Sequence, residues 1–466
     1  MKILFIASEC APIAKVGGLA DIIGSLPKTL KNLGIDVSIV IPFYGSIKRN
    51  NDLVLFKKDL RVDFDGKKQS FDLWLTHLDK VPVFLIKNDH YFSGEIYLEK
   101  DASSGGSEKE ASRFLFLSVT AIRVAQILKT DILHCHDWHT GIIPYLNKAK
   151  RDNFKTILTI HNLQYQGVYG HWLVNKFLST GFAKDVNCLE TGILNADLIT
   201  TVSPNYAKEI LTPEFGSGLQ MSLKKRKKSF IGILNGLDIE KFNPETDPFL
   251  PKNYSAENLY EKGGNKIFLQ NKYFQNVNSE IPILGIISRL TEQKGINLIE
   301  KIIDKLMGKN LQFILLGQGM KEYEDFFKEK SRKFPQKLFA KIGLDEKLAQ
   351  QIYAGADIFL MPSHFEPCGL GQQIAMRYGT VPVARSVGGI KDTVQNVRVQ
   401  NEEIEGTGFL FEKYDSEQLL NATERALGAF QDKKIWRQIQ INGMVQDFSW
   451  EKSAKIYVSL YEKLQN

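Results

Sequence analysis

Short runs of apolar and β-branched residues recur along the whole chain, and they constrain its fold more than any other feature. The runs at 37–41 and 156–160 are nearly continuous, as in strands of a parallel sheet that helices cover on both faces. The pattern predicts strands at 3–7, 37–41, 81–86, 131–135, 156–160, 197–202, 282–287, 312–316, 338–342, 357–361, 381–384 and 408–411. We therefore expect an α/β protein made of two successive halves, each with a doubly wound sheet.

Length, charge and cysteine usage narrow the class of protein. At 466 residues the chain is too long for one ordinary core, and its net charge of +7 is modest for that size. The dense basic run at 224–228 has only Phe230 as a nearby aromatic residue, so no nucleic-acid partner is expected. No run approaches the roughly 20 apolar residues that span a bilayer, so no membrane association is expected. Four cysteines without Cys-x-x-Cys spacing argue against zinc and disulfides and favour the cytoplasm.

The boundary between the halves is expected just after 235–238. The predicted division is a first domain at 1–240, a second at 241–447 and a final segment at 448–466. Segment 241–265 contains three prolines and the pair Gly263 and Gly264, and it is predicted to be an irregular connector. The Ser- and Gly-rich stretch at 101–107 is predicted to be a surface loop.

A glycine pair lies between the first predicted strand and a helix. Lys15 precedes Gly17 and Gly18, so a cation, two bare backbone positions and a helix start come together. This combination suits a phosphate, although the spacing is neither Gly-x-Gly-x-x-Gly nor that of a P-loop. A plain tight turn with a solvated lysine explains the stretch equally well.

The second half has similar chemistry after its own strands. Arg289 and Lys294 share one strand-to-helix connection, and Gly388 and Gly389 open a later helix. Two cations and a helix dipole could replace Mg²⁺ beside a diphosphate, and no metal or other cofactor is expected. For the two cations alone, an exposed loop pair is the plainer interpretation.

Other polar residues follow strands that should end at the same edges of the sheets. Glu366 is held between Phe365 and Pro367, and a buried carboxylate there needs partners, which sugar hydroxyls could supply. His134, His136 and His139 are close in sequence, yet no carboxylate or thiolate set completes a metal site. Neutral histidines that bond sugar or backbone are the simpler interpretation. The neighbouring Asp137 and Trp138 offer a carboxylate and an aromatic face for carbohydrate.

Several motifs in this order resemble one known family along nearly the whole chain. They are KVGGLAD at 15–21, HDWHTG at 136–141, TIHNLQYQG at 159–167, TVSP at 201–204, GILNGLD at 232–238, SRLTEQKG at 288–295, FEPCGL at 365–370 and FSWEKSA at 448–454. The chain resembles the bacterial, ADP-glucose-dependent glycogen/starch synthase family. The resemblance implies a GT-B glycosyltransferase: two Rossmann-like domains facing a cleft, with the last helix crossing back onto the first domain.

The reaction implied by the resemblance is transfer of glucose from ADP-glucose to the non-reducing end of an α-1,4-glucan such as glycogen, with retention of configuration. It also implies site residues. For the donor these are Lys15, Gly17, Gly18, Tyr353, Cys368, Gly369, Leu370, Gly388 and Gly389. For catalysis they are His161, Arg289, Lys294 and Glu366. On the acceptor side they are Asp21, Asp137 and Trp138.

Within this set, Arg289 and Lys294 would stabilise charge on departing ADP, and Glu366 would bind glucose hydroxyls. His161 would contact the glucose near its reacting carbon, and Tyr353 would stack on adenine. Gln373 is neutral where many related transferases have a second glutamate, which favours front-face attack over a double displacement.

Three alternatives to this reaction stay open. A related glucosyltransferase could use UDP-glucose or a small-sugar acceptor. An α-glucan phosphorylase would need a pyridoxal phosphate lysine, for which no matching segment is evident. A glucan-binding protein without catalysis would have little reason to keep two phosphate-binding loops.

Overall fold

The protein forms two compact units. A computed structural model describes residues 1–47, 52–98, 106–401 and 403–465. One unit comprises Met1–Gly236 and Trp450–Asn466, and the other comprises Leu237–Ser449. The sequence analysis predicted divisions at 240/241 and 447/448. Residues 101–105 of the predicted surface loop lie outside the described residues.

The first unit is built on a large, mostly parallel sheet with the order β11-β10-β7-β6-β1-β2-β5-β4-β3. The strands from β11 to β5 in this order are parallel, whereas β4 and β3 pair antiparallel at one edge. Its strands are β1 (Lys2–Ile6), β2 (Asp36–Pro42), β3 (Val54–Phe64), β4 (Lys67–Leu78), β5 (Val81–Lys87), β6 (Ile132–His136), β7 (Lys155–Ile160), β10 (Leu198–Thr201) and β11 (Phe230–Gly232). A separate antiparallel pair is formed by β8 (Val168–Tyr169) and β9 (Val186–Asn187).

Helices pack against this sheet because their apolar residues recur at helical spacing. In the first of them, Leu19, Ile22, Ile23 and Leu26 are buried on one side. The helices up to the unit boundary are α1 (Gly18–Asn32), α2 (Asp89–Phe92), α3 (Glu108–Leu128), α4 (Ile143–Lys150), α5 (His171–Leu178), α6 (Cys188–Asn195), α7 (Pro204–Glu209) and α8 (Gln220–Lys225).

Among the described helices, α3 is long and apolar enough to cross a membrane by length and composition. The expectation that no segment comes near this length therefore does not hold for α3. However, 78% of its apolar window is buried inside the protein. A core helix passes the same test, so the finding is weak evidence for a membrane span.

The second unit has a parallel sheet with the order β14-β13-β12-β15-β16-β19. Its strands are β12 (Ile283–Leu290), β13 (Gln312–Gly319), β14 (Leu338–Ile342), β15 (Ile358–Met361), β16 (Val381–Arg385), β17 (Arg398–Gln400), β18 (Glu403–Glu405) and β19 (Phe409–Phe411), of which β17 and β18 form a small antiparallel pair. Its helices are α9 (Lys262–Leu269), α10 (Ile296–Met307), α11 (Lys321–Lys333), α12 (Glu346–Gly355), α13 (Gly371–Arg377), α14 (Gly388–Thr393), α15 (Ser416–Gln431) and α16 (Lys433–Met444).

The prediction of an irregular connector in this unit is wrong for the last residues of the segment. Segment 241–265 is not irregular to its end, because α9 starts at Lys262 and includes Gly263 and Gly264. The Lys262 ammonium is buried and donates to the carbonyl oxygen of Ala354 at 2.7 Å and to Oγ1 of Thr380 at 2.8 Å. These tertiary bonds outweigh the weak helix propensity of the glycines.

The last helix, α17 (Glu451–Gln465), packs into the first unit. Just before it, the indole Nε1 of Trp450 donates to Oγ of Ser25 in α1 at 2.8 Å. Within it, the hydroxyl of Tyr461 is 2.9 Å from Nδ1 of His134 in β6. The first unit is therefore completed by both ends of the chain.

Each large sheet reverses its winding direction at one point. The point lies between β1 and β6 in the first unit and between β12 and β15 in the second. The loops that leave the carboxyl ends of such a strand pair diverge, and a crevice opens between them. These four loops contain most of the site residues predicted from the sequence.

Candidate active site

A buried carboxylate accepts hydrogen bonds from the backbone of the glycine turn after β1. Glu9 is 3% exposed, and its Oε2 accepts from the backbone N–H of Val16 at 2.6 Å and of Gly17 at 2.8 Å. Its Oε1 accepts from the hydroxyl of Tyr97 at 2.5 Å. The prediction that the Gly17 N–H faces a diphosphate therefore needs correction, because this group already bonds Glu9. Gly18, the first residue of α1, is exposed.

Lys15 extends from the same turn and pairs with a carboxylate of α1. Its Nζ lies 2.6 Å from Oδ1 of Asp21, and the two side chains are 41% and 22% exposed. An exposed pair of this kind contributes little to stability, about 0–1 kcal/mol, so its charges can be redirected toward a ligand at small cost. The structure thus brings together Lys15 and Asp21, which the sequence analysis assigned to donor and acceptor.

Asp137 ties the carboxyl ends of β6 and β7 together. It has a left-handed backbone with φ of 55°, and its Oδ1 accepts from the backbone N–H of His161 at 2.7 Å and of Asn162 at 3.3 Å. Burial raises the pKa of Asp137 to about 7, although the two N–H groups oppose that shift. Asp137 and His161 therefore lie together, as side chain and backbone of one hydrogen-bonded loop.

The histidines near these strand ends are buried and neutral. Burial lowers the pKa of His134, His139 and His161 to about 3 in each case. Nδ1 of His136 is 2.9 Å from Nε2 of His161. In the described part of the chain, no group of three or more His, Cys, Asp or Glu side chains has a metal-binding arrangement.

Trp138 does not fit its predicted role as an aromatic face for carbohydrate. It is 3% exposed, and its ring stacks on His139 with centroids 4.2 Å apart and meets Phe114 edge-on at 5.2 Å. Gly167 packs so closely on the indole that a Cβ there would come within 2.3 Å of it. Trp138 is a core residue that supports the turn after Asp137.

In the second unit, the loops after β12 and β15 meet through an ion pair. Nζ of Lys294 lies 2.6 Å from Oε2 of Glu366, which also accepts from the hydroxyl of Ser363 at 2.9 Å. Glu366 is 5% exposed. The sequence analysis assigned sugar hydroxyls as the partners of this carboxylate. Its partners in the structure are protein groups, because a buried charge needs a cation and a donor before any ligand arrives.

The prediction that Gly388 and Gly389 bind the donor also needs correction. A Cβ on Gly388, whose φ is +49°, would lie 1.9 Å from the carbonyl oxygen of Glu366, and one on Gly389 would lie 2.2 Å from that of Cys368. The Gly389 N–H donates to the Glu366 carbonyl at 3.0 Å. The pair therefore serves to bring α14 against the loop that carries Glu366, and the Gly389 N–H is engaged there.

The remaining predicted donor residues lie around the same loop. Arg289, at the end of β12, donates to Oε1 of Gln293 at 2.9 Å. Gly369 has a φ of +72°, and its carbonyl accepts from Nε2 of Gln372 at 2.8 Å. Cys368 is buried, and Leu370 precedes the first turn of α13. These bonds give the loop a fixed shape.

Tyr353 does not suit its predicted role of stacking on adenine. The residue is 6% exposed on α12, and its ring packs against Phe359 at 5.0 Å and Tyr378 at 6.2 Å. It belongs to the apolar core of the second unit. A ring enclosed in this way offers no face to a nucleotide.

Two family models match the chain, one in each unit. The starch synthase catalytic domain matches residues 2–225, and glycosyl transferases group 1 matches residues 270–438. A glycogen synthase of Kosmotoga olearia is 43% identical over all of this chain and 98% of its own length. One of Alkaliphilus metalliredigens is 39% identical over the full length of both.

The chain belongs to the glycogen and starch synthase family. It is a glycosyltransferase, and the family, the fold class and the glycogen synthase function expected from its motifs are thereby confirmed.

Solved structures agree with this assignment. The catalytic domain of starch synthase IV from Arabidopsis thaliana, bound to ADP and acarbose, is similar with a TM-score of 0.90 and 34% identity over 99% of both chains. A sucrose-phosphate synthase from Thermosynechococcus elongatus has a TM-score of 0.63 at 19% identity, over 99% of this chain and 98% of its own. The second likeness concerns the fold alone, which is the GT-B fold.

Proposed function

We propose that this enzyme transfers glucose from ADP-glucose to the non-reducing 4-hydroxyl of an α-1,4-glucan, with retention of the anomeric configuration. The names of its relatives support a glycogen acceptor, and the ADP in the Arabidopsis structure supports the donor nucleotide. All four cysteines are buried and none forms a disulfide within the described residues, which supports a reducing compartment, the cytoplasm, as the place of the reaction.

The pairing of Lys294 with Glu366 carries this proposal. A nucleotide-sugar presents an anionic diphosphate next to a neutral sugar with several hydroxyl donors. An ammonium and a carboxylate 2.6 Å apart offer one matching partner to each. When the donor binds, phosphate replaces Glu366 as the partner of Lys294, and sugar hydroxyls replace Lys294 as the donors to Glu366.

The departure of ADP is assisted by cations. Negative charge builds on the phosphate as the bond from glucose C1 to its oxygen breaks, and we assign its stabilisation to Arg289 and Lys294. Each cation within about 4 Å of the charge contributes roughly 4 kcal/mol before desolvation, at an effective dielectric near 20. Lys15 and the exposed backbone of Gly18 are proposed as further phosphate contacts.

The route by which the configuration is retained is inferred from a neutral side chain. A double displacement needs a second carboxylate about 5 Å from the first. Gln373 is an amide, and its Nε2 donates to the carbonyl of Gly369 at 3.2 Å. We therefore propose front-face attack, in which the acceptor oxygen bonds to C1 on the side that ADP leaves and the departing phosphate takes the hydroxyl proton. His161, Asp137 and Asp21 are proposed to line the sugar and acceptor side.

A comparison of donors tests the proposal directly. Nucleotide release is measured with ADP-glucose and UDP-glucose, each with and without glycogen, and the anomeric configuration of the new linkage is read by NMR. We expect release of ADP that depends on glycogen, and an α-linked product. A trapped glucosyl-enzyme ester would contradict front-face attack.

The same experiment separates the alternatives. Preference for UDP-glucose, or for a small sugar over glycogen, indicates the related glucosyltransferase. No release from either donor under any condition indicates a glucan-binding protein without catalysis.

A further inference from the structure

Three histidines of the first unit lie side by side at the ends of β6 and β7. The rings of His134 and His136 stack with centroids 4.4 Å apart, and Phe5 packs against both. This packing fixes the plane of the His136 ring. Its Nδ1 is thereby held 2.9 Å from Nε2 of His161.

The hydrogen bond between the rings of His136 and His161 contains one proton, which belongs to one ring or the other. Burial lowers the pKa of His161 to about 3 and that of His136 well below its ordinary value, so both rings are neutral near pH 7. A neutral imidazole has a single N–H. Within the described residues, the other two nitrogens, Nε2 of His136 and Nδ1 of His161, are buried without a hydrogen-bond partner. The direction of the shared bond therefore decides which of these two atoms carries the second proton.

The two possible directions of the hydrogen bond between His136 and His161 differ in free-energy cost. If His161 donates, the second proton lies on Nε2 of His136, a residue that is 1% exposed, and leaves an N–H unpaired in the interior. If His136 donates, its Nε2 is a bare acceptor, and the second proton lies on Nδ1 of His161. That atom is buried too, but the residue as a whole is 9% exposed, just past the end of β7. Each direction leaves one buried N–H without an acceptor, and this costs less at His161, because a residue nearer the surface gains access to water or a ligand hydroxyl through a smaller shift. The second direction is therefore favoured.

We propose that His136 is a positioning residue that donates from Nδ1 to Nε2 of His161 and so fixes the proton of His161 on Nδ1. His161 then presents an N–H donor to a hydroxyl oxygen of the glucosyl group. Asp137 holds the backbone of the same residue, and His136 holds its ring. The identity of the ligand rests on the proposed function, whereas the position of the proton is a property of the free enzyme.

Two substitutions at His136 separate the hydrogen bond from the packing. His136→Asn places an amide near the position of Nδ1 that can still donate to His161, whereas His136→Leu fills similar space without a donor. We expect His136→Leu to lower kcat about 10- to 100-fold, as when a hydrogen-bonded partner behind a metal-binding histidine is removed. His136→Asn should restore kcat to within about fivefold of the wild type, because its amide replaces the one bond that matters.

Tyr461→Phe is the matched control. It removes the hydrogen bond between Tyr461 and His134 in the same cluster and leaves the bond between His136 and His161 intact. We expect a loss of thermal stability with kcat unchanged. If Tyr461→Phe lowers kcat as much as His136→Leu does, cluster packing explains the effect and the proposal fails.

A spectroscopic measurement shows which ring nitrogen of His161 carries the proton. In the full-length enzyme labelled with ¹⁵N-histidine, the ring nitrogens of His161 are assigned by comparison with His161→Gln. We expect Nδ1 to be the protonated nitrogen, and a proton on Nε2 would overturn the proposal. Failure of the wild type to use ADP-glucose contradicts the proposed function instead, because the nitrogen spectrum needs no substrate.

Discussion

At the scale of single residues, Lys294 combines two tasks. It neutralises Glu366 in the free enzyme, and the proposed reaction needs it for the departing phosphate. We expect Lys294→Ala to lower kcat about 10²- to 10³-fold, the effect of removing one preorganised donor to developing charge. The rate of ADP release from ADP-glucose in the presence of glycogen measures kcat. Lys301→Ala, an exposed position on α10, is the control and should match the wild type. Near-normal turnover of Lys294→Ala would contradict the electrostatic role.

Asp137 predicts a pH dependence of stability. Burial raises its pKa in the folded protein to about 7, from an ordinary value of 3.8. Its contribution to stability is therefore fully present below about pH 4 and is lost as the pH rises toward 7 and above, since the buried carboxylate then carries charge. Relative to Asp137→Asn, the free energy of unfolding should fall by up to about 4 kcal/mol over this range. Urea titrations at a series of pH values measure the difference. A difference that does not change with pH would contradict the buried, protonated carboxyl.

Sequence reasoning identified Lys294, Glu366, Asp137 and His161 because each is a polar residue in the connection that follows a predicted strand, and the family resemblance implied their roles. It did not identify the pairing of Lys294 with Glu366, or the bonds of Glu9 to the glycine turn and to Tyr97. Glu9 and Tyr97 are 88 residues apart, and Lys294 and Glu366 are 72 apart. Such pairs depend on how strands are ordered in the sheet, and no local signal encodes that order. Lys294 and Glu366, which the sequence analysis assigned to ligand groups, are consequently bonded to each other in the free protein.

At the scale of elements, the contact between α14 and the Glu366 loop depends on Gly388. A Cβ there would lie 1.9 Å from the Glu366 carbonyl, and the φ of +49° is itself unfavourable for other residues. We expect Gly388→Ala to displace the loop and to raise KM for the donor at least about tenfold, as small misplacements in a site do. Gly428→Ala, where the added Cβ meets nothing within 4 Å on α15, is the control. It should leave KM unchanged and add about 0.5–1 kcal/mol of stability. An unaltered KM for Gly388→Ala would show that the loop tolerates the shift.

The predicted strands all appear, with ends displaced by three residues at most, because buried parallel strands read as continuous apolar runs. The antiparallel pair β3 and β4 was missed, since it lies at the edge of the sheet and β3 is largely exposed. A signal was present in the turn between them. Asp65 and Gly66 both have positive φ, and an Asp-Gly pair between alternating residues is typical of a two-residue hairpin.

At the scale of the whole molecule, the core of each unit contains a buried tryptophan near the C-terminal end of that unit's sequence. Trp450 is 3% exposed in the first unit, and Trp436 is 4% exposed in the second. Truncating a buried tryptophan costs about 3–5 kcal/mol. We expect Trp450→Ala to speed hydrogen exchange in α1 and leave β13 unchanged, and Trp436→Ala to do the reverse. Mass spectrometry of exchange by segment measures both. Equal acceleration in both units would contradict two separate cores.

The return of α17 to the first unit has a consequence for synthesis on the ribosome. The first unit needs Trp450 and Tyr461, yet the whole of Leu237–Ser449 is translated before them. At synthesis rates of about 5–20 residues per second, that interval lasts roughly 10–40 s. During this time Ser25 lacks its bond from Trp450, and His134 lacks its bond to Tyr461. The second unit can therefore finish folding before the first, although its residues are made later.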